Sequence, residues 1–272
     1  MYKRQLVGAS ALLAAYTPFP EEQAWYLYQR GICEELANRP TVAEGLYRQA
    51  IAAGAVQDAH FRLALVLEDQ GRDQEALDEV IGLAKLKGFD EKDQRTLDLQ
   101  LGISEVNTGK IHRGVKRVEA TLALLEAGPT HTWMRAKARY TLATVLLKDA
   151  DKLDLRLPER RQVRRLTRRA EALQAAEEQI AAIARLNEPE WVLAGLIALG
   201  DSHAKLAKEI AAAAPPHRLT AAEDQIYREM ILDKAKVIDG KTRHIWQSGV
   251  DLAARIQWES PRVTLLKERL AD

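Results

Sequence analysis

Six arginines between positions 159 and 169 are the residues of this chain best placed to act by charge. Arg160, Arg164 and Arg168 recur every four residues, and Arg161, Arg165 and Arg169 form a second row beside them. On a helix the two rows share one half of the surface, opposite Val163, Leu166 and Ala170. Glu159 is the only acid in the run. Like charges one turn apart repel by about 0.2–0.5 kcal/mol per pair. The spacing therefore predicts something that compensates: an acidic partner surface, phosphates, or carboxylates from elsewhere in the fold. A plainly solvated outer face is the fourth reading.

Other reactive types are scattered. None of the six histidines (His60, His112, His131, His203, His217, His244) stands one helical turn from a second metal-ligating residue in the pattern of a metal helix. Asp201 and His203 are two apart and diverge on a helix. Gly240-Lys241-Thr242 resembles the end of a phosphate-binding loop, but Ala235 stands where that loop needs its first glycine, and the flanks are helical. The single cysteine, Cys33, excludes an internal disulfide and reads as a small packed hydrophobe. The expectation is a non-catalytic chain with no cofactor and no metal.

Composition limits the partners. Forty basic and 39 acidic residues leave a net charge of +1, so bulk attraction to nucleic acid or anionic membrane is absent and nucleic acid is an unfavoured partner. No apolar run approaches the length of about 18 residues that a transmembrane helix needs. Hydrophobic residues make up 47% of the chain but aromatics only 6%, which favours Leu- and Ala-rich helices over strands.

The elements that position these residues announce themselves through small residues twelve apart. Gly31 and Ala43, Ala64 and Ala76, and Gly102 and Gly114 each lie within helical patterns. Two helices approach closely only where small residues meet, so each pair predicts one helical hairpin. The first spans Glu21–Asn38 and Thr41–Ala53, with Pro40 as breaker, Thr41 as cap and Gly54 as stop. The second runs from Val56 to Gln70, turns at Gly71-Arg72-Asp73 and continues to Gly88. The third runs from Glu91 to Asn107, turns at Thr108-Gly109 and continues to Pro129. Trp25, Tyr26 and Tyr28 cannot all face one core. They either pack on a preceding repeat or offer an anchor to a partner.

Leu63-Ala64, Gly71 and Ala76, and Leu101-Gly102, Gly109 and Gly114, match the tetratricopeptide consensus in register; Gly31, Ala43, Tyr47 and Ala50 match it less fully, because Arg30 holds the Leu position. Residues 21–147 thus resemble the tetratricopeptide repeat superfamily. The resemblance implies an all-α superhelix of stacked hairpins whose first helices line a concave surface. His60, Asp98 and Arg139 would then be offered to a protein or peptide partner.

The pattern fails at Leu155, twelve residues past Ala143, in a polar insertion ending at Pro158. Residues 148–186 read as this insertion plus a long bridging helix, Glu159–Leu186, with an apolar seam of Val163, Leu166, Ala170, Leu173, Ile180 and Ile183. Residues 187–272 read as a helical C-terminal module. Gly195 and Gly200 lie within its first helix and predict close packing on a neighbour, since each costs about 1 kcal/mol relative to Ala. Thr220 and Glu223 form a capping box for a helix through Leu232, a separate helix spans Lys241–Ile256, and Ser260-Pro261 opens the last. The string Trp191, Leu199-Gly200-Asp201, Pro215, Leu219-Thr220, Tyr227 and Trp246 is similar to the C-terminal module of repeat-containing cell-envelope proteins of gliding bacteria. That resemblance implies a periplasmic or outer-membrane-side place in a multiprotein assembly, with a cytoplasmic place as the alternative.

Residues 1–20 read as the end of a truncated upstream repeat. Met1–Gln5 is also the translation of GTG-TAT-AAG-AGA-CAG, the tail of a transposon end used to fragment DNA, so these five residues are expected to be an artefact. The function expected of the whole is protein–protein scaffolding, with nucleic-acid or anionic-headgroup binding through the arginine rows as the alternative.

Overall fold

The computed structural model describes residues 11–13, 15–54, 57–125, 131–153, 159–215 and 219–271, with the side chains of 159–162 left aside. The expected artefact at 1–5 and the insertion residues Leu155 and Pro158 lie outside the described residues. Every element among them is helical, and neighbouring helices pack in pairs. The chain divides into two compact units, Met1–Ala127 and Gly128–Asp272.

Among the described residues of the first unit, a helical stretch at 11–13 and 15 precedes a 3-10 turn, Pro20–Glu22, and six longer helices follow. These are α1 (Gln23–Leu36), α2 (Pro40–Ala52), α3 (Gln57–Asp69), α4 (Asp73–Leu83), α5 (Glu91–Asn107) and α6 (Ile111–Leu125). They pair as α1 on α2, α3 on α4 and α5 on α6, and α2 on α3 and α4 on α5 join the pairs. One local device makes all three hairpin turns. A left-handed residue seven positions after the first small residue, Asn38 (φ 58°), Gly71 (φ 73°) or Gly109 (φ 84°), reverses the chain. The next residue's N–H then closes on a carbonyl five back: Arg39 on Glu34, Arg72 on Leu67, Lys110 on Glu105. These bonds satisfy carbonyls that a helix end would leave open. Thr41 does not cap α2 as its position suggested. Pro40 already occupies the first helical turn, which suits its fixed φ, and Arg39 precedes it without a side-chain cap.

The second unit holds α7 (Thr132–Asp151), α8 (Glu159–Ala184), α9 (Pro189–Ala211), α10 (Ala221–Arg255) and α11 (Pro261–Ala271). Helix α7, which spacing grouped with the repeats, packs instead on α8 and α9. Its Ala143 and Leu147 share a core with Leu173, Ala176 and Ile180 of α8, Leu199 and Leu206 of α9, and Ile245 of α10. Burying each of the larger side chains contributes about 1.5–3 kcal/mol, and that shared core is why α7 belongs here. Helix α8 lies within this unit. Its seam is buried at Leu173, Ile180 and Ile183, but Val163 and Leu166, at the opening turns, are exposed.

The two C-terminal helices expected at Thr220–Leu232 and Lys241–Ile256 are one continuous helix of 35 residues, α10. Gly240 sits mid-helix with nothing within 4 Å of where a side chain would start, so it weakens the helix without ending it. The capping box at Thr220 and Glu223 opens α10, with the Thr220 hydroxyl accepting from the Glu223 N–H. Gly195 receives the Ile180 side chain, and Gly200 receives the Trp246 indole, with hypothetical Cβ contacts of 2.8 and 2.1 Å.

Candidate interaction surfaces

In the first unit the small residues set the closest helix approaches. A Cβ on Gly114 would stand 2.5 Å from the Gly102 carbonyl oxygen, and one on Gly31 would enter the Tyr47 ring at 2.4 Å. Ala43, Ala64 and Ala76 are fully buried. The residue four past the second small residue covers the first: Tyr47 lies over Gly31, Val80 clusters with Ala64, and Val118 lies over Gly102. Side-chain size is matched across each hairpin.

Successive first helices are tied by polar rungs. Glu35 of α1 accepts from the Arg62 guanidinium of α3 at 3.0 Å and from the Tyr47 hydroxyl of α2 at 2.6 Å. Thirty-three residues later Glu68 of α3 accepts from Ser104 and Asn107 of α5, at 3.0 and 3.3 Å. Glu44 of α2 accepts from Gln70 at 3.1 Å and Arg72 at 2.6 Å. Burial pushes the Tyr47 phenol well above its ordinary range, and the Glu35 carboxylate adds to that. Burial works against ionisation of Glu44, but bonds from Arg72, Gln70 and Arg48 outweigh it and hold its carboxyl below the usual range.

The residues expected to meet a partner are engaged within the chain. His60 Nδ1 lies 2.6 Å from Glu79, Asp98 lies 3.9 Å from Arg117, and Arg139 donates to Gln179 at 2.9 Å. The three aromatics of α1 separate as helical geometry requires: Tyr26 is buried, Tyr28 tilts against Tyr47, and Trp25 remains 53% exposed.

The arginine rows divide. Arg160 and Arg161 have side chains outside the described residues. Arg164 and Arg168 are exposed, and Arg165 is half-buried. Arg169 is 0% exposed and leaves the surface row altogether. Its guanidinium bonds Glu209 of α9 and reaches Asp151 of α7 at 3.3 Å. Asp151 also accepts from the Ser202 hydroxyl at 2.7 Å, and its backbone carbonyl accepts from Lys205 at 2.8 Å. The compensating anions for this arginine thus come from within the fold. They sit 18 and 40 residues away in sequence, so no local pattern could show them.

Beside this network His203 is 4% exposed. Its Nε2 lies 3.3 Å from Glu177, whose carboxylate also takes Lys241 at 2.5 Å, and neither ring nitrogen makes a well-formed hydrogen bond. Burial lowers the His203 pKa, and the Lys241 charge lowers it further. Trp133, Tyr140 and Trp191 form a second cluster that the spacing did not reveal. The Trp191 ring centroid lies 5.7 Å from that of Trp133 and 5.3 Å from that of Tyr140, and Arg262 lies over Trp191 while bonding Glu190.

Among the described residues no group of His, Cys, Asp and Glu is placed to hold a metal, and no helix is long and apolar enough to cross a membrane. The sequence matches no protein-family model and no curated protein.

Proposed function

We propose that the chain is a non-catalytic protein–protein interaction scaffold, and that its first unit is a short tetratricopeptide-like superhelix. The observation that carries this reading is the pair of polar rungs, Glu35 to Arg62 and Glu68 to Ser104 and Asn107, which tie successive first helices together. A pre-organised surface binds without the entropy loss of ordering itself, and locked hairpins supply one. Trp25 is the exposed aromatic on that series of helices and the residue suited to anchor a partner. The envelope assembly implied by the C-terminal resemblance is consistent with this role and rests on that resemblance alone.

The alternative, binding of phosphates through α8, loses Arg169 to the fold. Arg164 and Arg168 remain available to it. The two readings separate in one experiment. Immobilised full chain and an Arg164→Glu/Arg168→Glu variant are each challenged with extract of the source cell, with and without nuclease. Protein partners retained by both, indifferent to nuclease, support the scaffold. Capture that needs both arginines, falls steeply with salt and disappears with nuclease supports the alternative.

A further inference from the structure

Helix α10 carries apolar residues on two opposite sides. Ala235 and Ile238 turn inward, Ala235 being buried and Ile238 packing on the core shared by α7 to α10. Ile226, Met230 and Val237 turn outward and are 58%, 52% and 74% exposed. At 3.6 residues per turn these three fall within about 40° of one another, along about 16 Å of helix. Singly exposed hydrophobics are ordinary, but three in line on one helix form a contact seam.

We propose that this seam is an antiparallel contact between two copies of the chain. Self-complementarity names the occupant. With a two-fold axis crossing between Ile231 and Leu232, Ile226 meets Val237 of the second copy, and Met230 meets Asp233 of the second copy. The flanking Glu229 then stands beside Lys236 of the second copy, and the symmetry makes the same pair again. Both side chains face solvent: among the described residues Glu229 accepts from Gln225 one turn before it, and Lys236 reaches Asp233 one turn before it at 3.2 Å. A parallel pairing is worse. It would stack Asp233 on Asp233 and, at the offset that also sets Glu229 beside Lys234, place Lys236 beside Lys241 of the second copy, whereas the antiparallel register shifts the two Asp233 about 4.5 Å apart along the axis and sets no lysine beside a lysine. Asp233 weakens the seam, as a polar residue in a coiled-coil core does while specifying register. The contact is therefore reversible and concentration-dependent.

Sedimentation velocity of the full chain over a concentration series tests the proposal, with helicity and melting by circular dichroism as the folding control at these exposed positions. The wild type forms dimers as concentration rises, and Ile226→Ser/Val237→Ser stays monomeric. Glu229→Lys and Lys236→Glu each weaken dimerisation about tenfold, and combining them restores it. Asp233→Leu tightens it by tenfold or more. Wild type and Asp233→Leu both monomeric at the highest soluble concentration would overturn the proposal. So would a dimer indifferent to the serine pair, or single charge reversals without effect.

Discussion

At the scale of single residues, the polar contacts that hold the hairpins make definite claims. Tyr47 is fully buried and its hydroxyl donates to Glu35. Tyr47→Phe keeps the ring over Gly31 and removes only that bond, so it should cost about 1 kcal/mol in urea unfolding. Combined with Arg62→Met, the loss should be less than additive, because both donors serve one carboxylate. Arg169→Met removes a buried cation from two carboxylates that remain about 30% exposed. The expected loss is roughly 2–3 kcal/mol, below the range for a fully buried pair. His203 gives a pH dependence whose sign follows from burial. Its folded pKa lies below the ordinary 6.5, so the unfolded chain binds the proton first as pH falls through 6.5. Stability should decline between about pH 7.5 and 5.5, before carboxylates titrate, and His203→Gln should flatten that decline in thermal melts.

Helices and hairpins show which parts of the fold could be read in advance. Gly114 meets backbone, which cannot give way, whereas Gly82 in α4 has nothing within 4 Å. Gly114→Ala should therefore destabilise by roughly 1–3 kcal/mol, and Gly82→Ala should stabilise by up to about 1 kcal/mol. Both appear as opposite shifts in melting temperature. The second and third hairpin turns were legible because a left-handed residue favours glycine, at Gly71 and Gly109, whereas the first was read from Pro40 and its left-handed residue, Asn38, gave no such signal. The bounds Glu91–Asn107 match the helix found, which the Thr108-Gly109 turn made legible at its end; the structure adds the cap at its start, where Asp90 accepts from the Asp93 N–H. Helix α10 was misdivided because Gly240 looks like punctuation in sequence, while a glycine lacking a following proline or a capping turn only weakens a helix. For α7, the core it joins could not be read from spacing. Its own small-residue pattern continues the repeat, and only the partners of Ala143 and Leu147 decide which core it joins. Arg169 fell in a periodic row indistinguishable from its neighbours until Asp151 and Glu209 were brought to it by α7 and α9.

For the molecule as a whole, nearly balanced charge leaves recognition to local surfaces. Trp25→Ala should lower partner affinity tenfold or more while leaving the melting temperature within about a degree, since an exposed aromatic contributes to binding rather than to the core. The measurement that bears most directly on the scaffold reading is purification of the tagged full chain from its own cells, at native expression and after nuclease digestion. Its assembly mass is then determined by light scattering and its composition by mass spectrometry. The account predicts a mass above that of a dimer of this 30.4 kDa chain, with at least one other protein in fixed stoichiometry. A chain that emerges alone or only self-associated, or one whose sole companion is a nucleic acid, would contradict it.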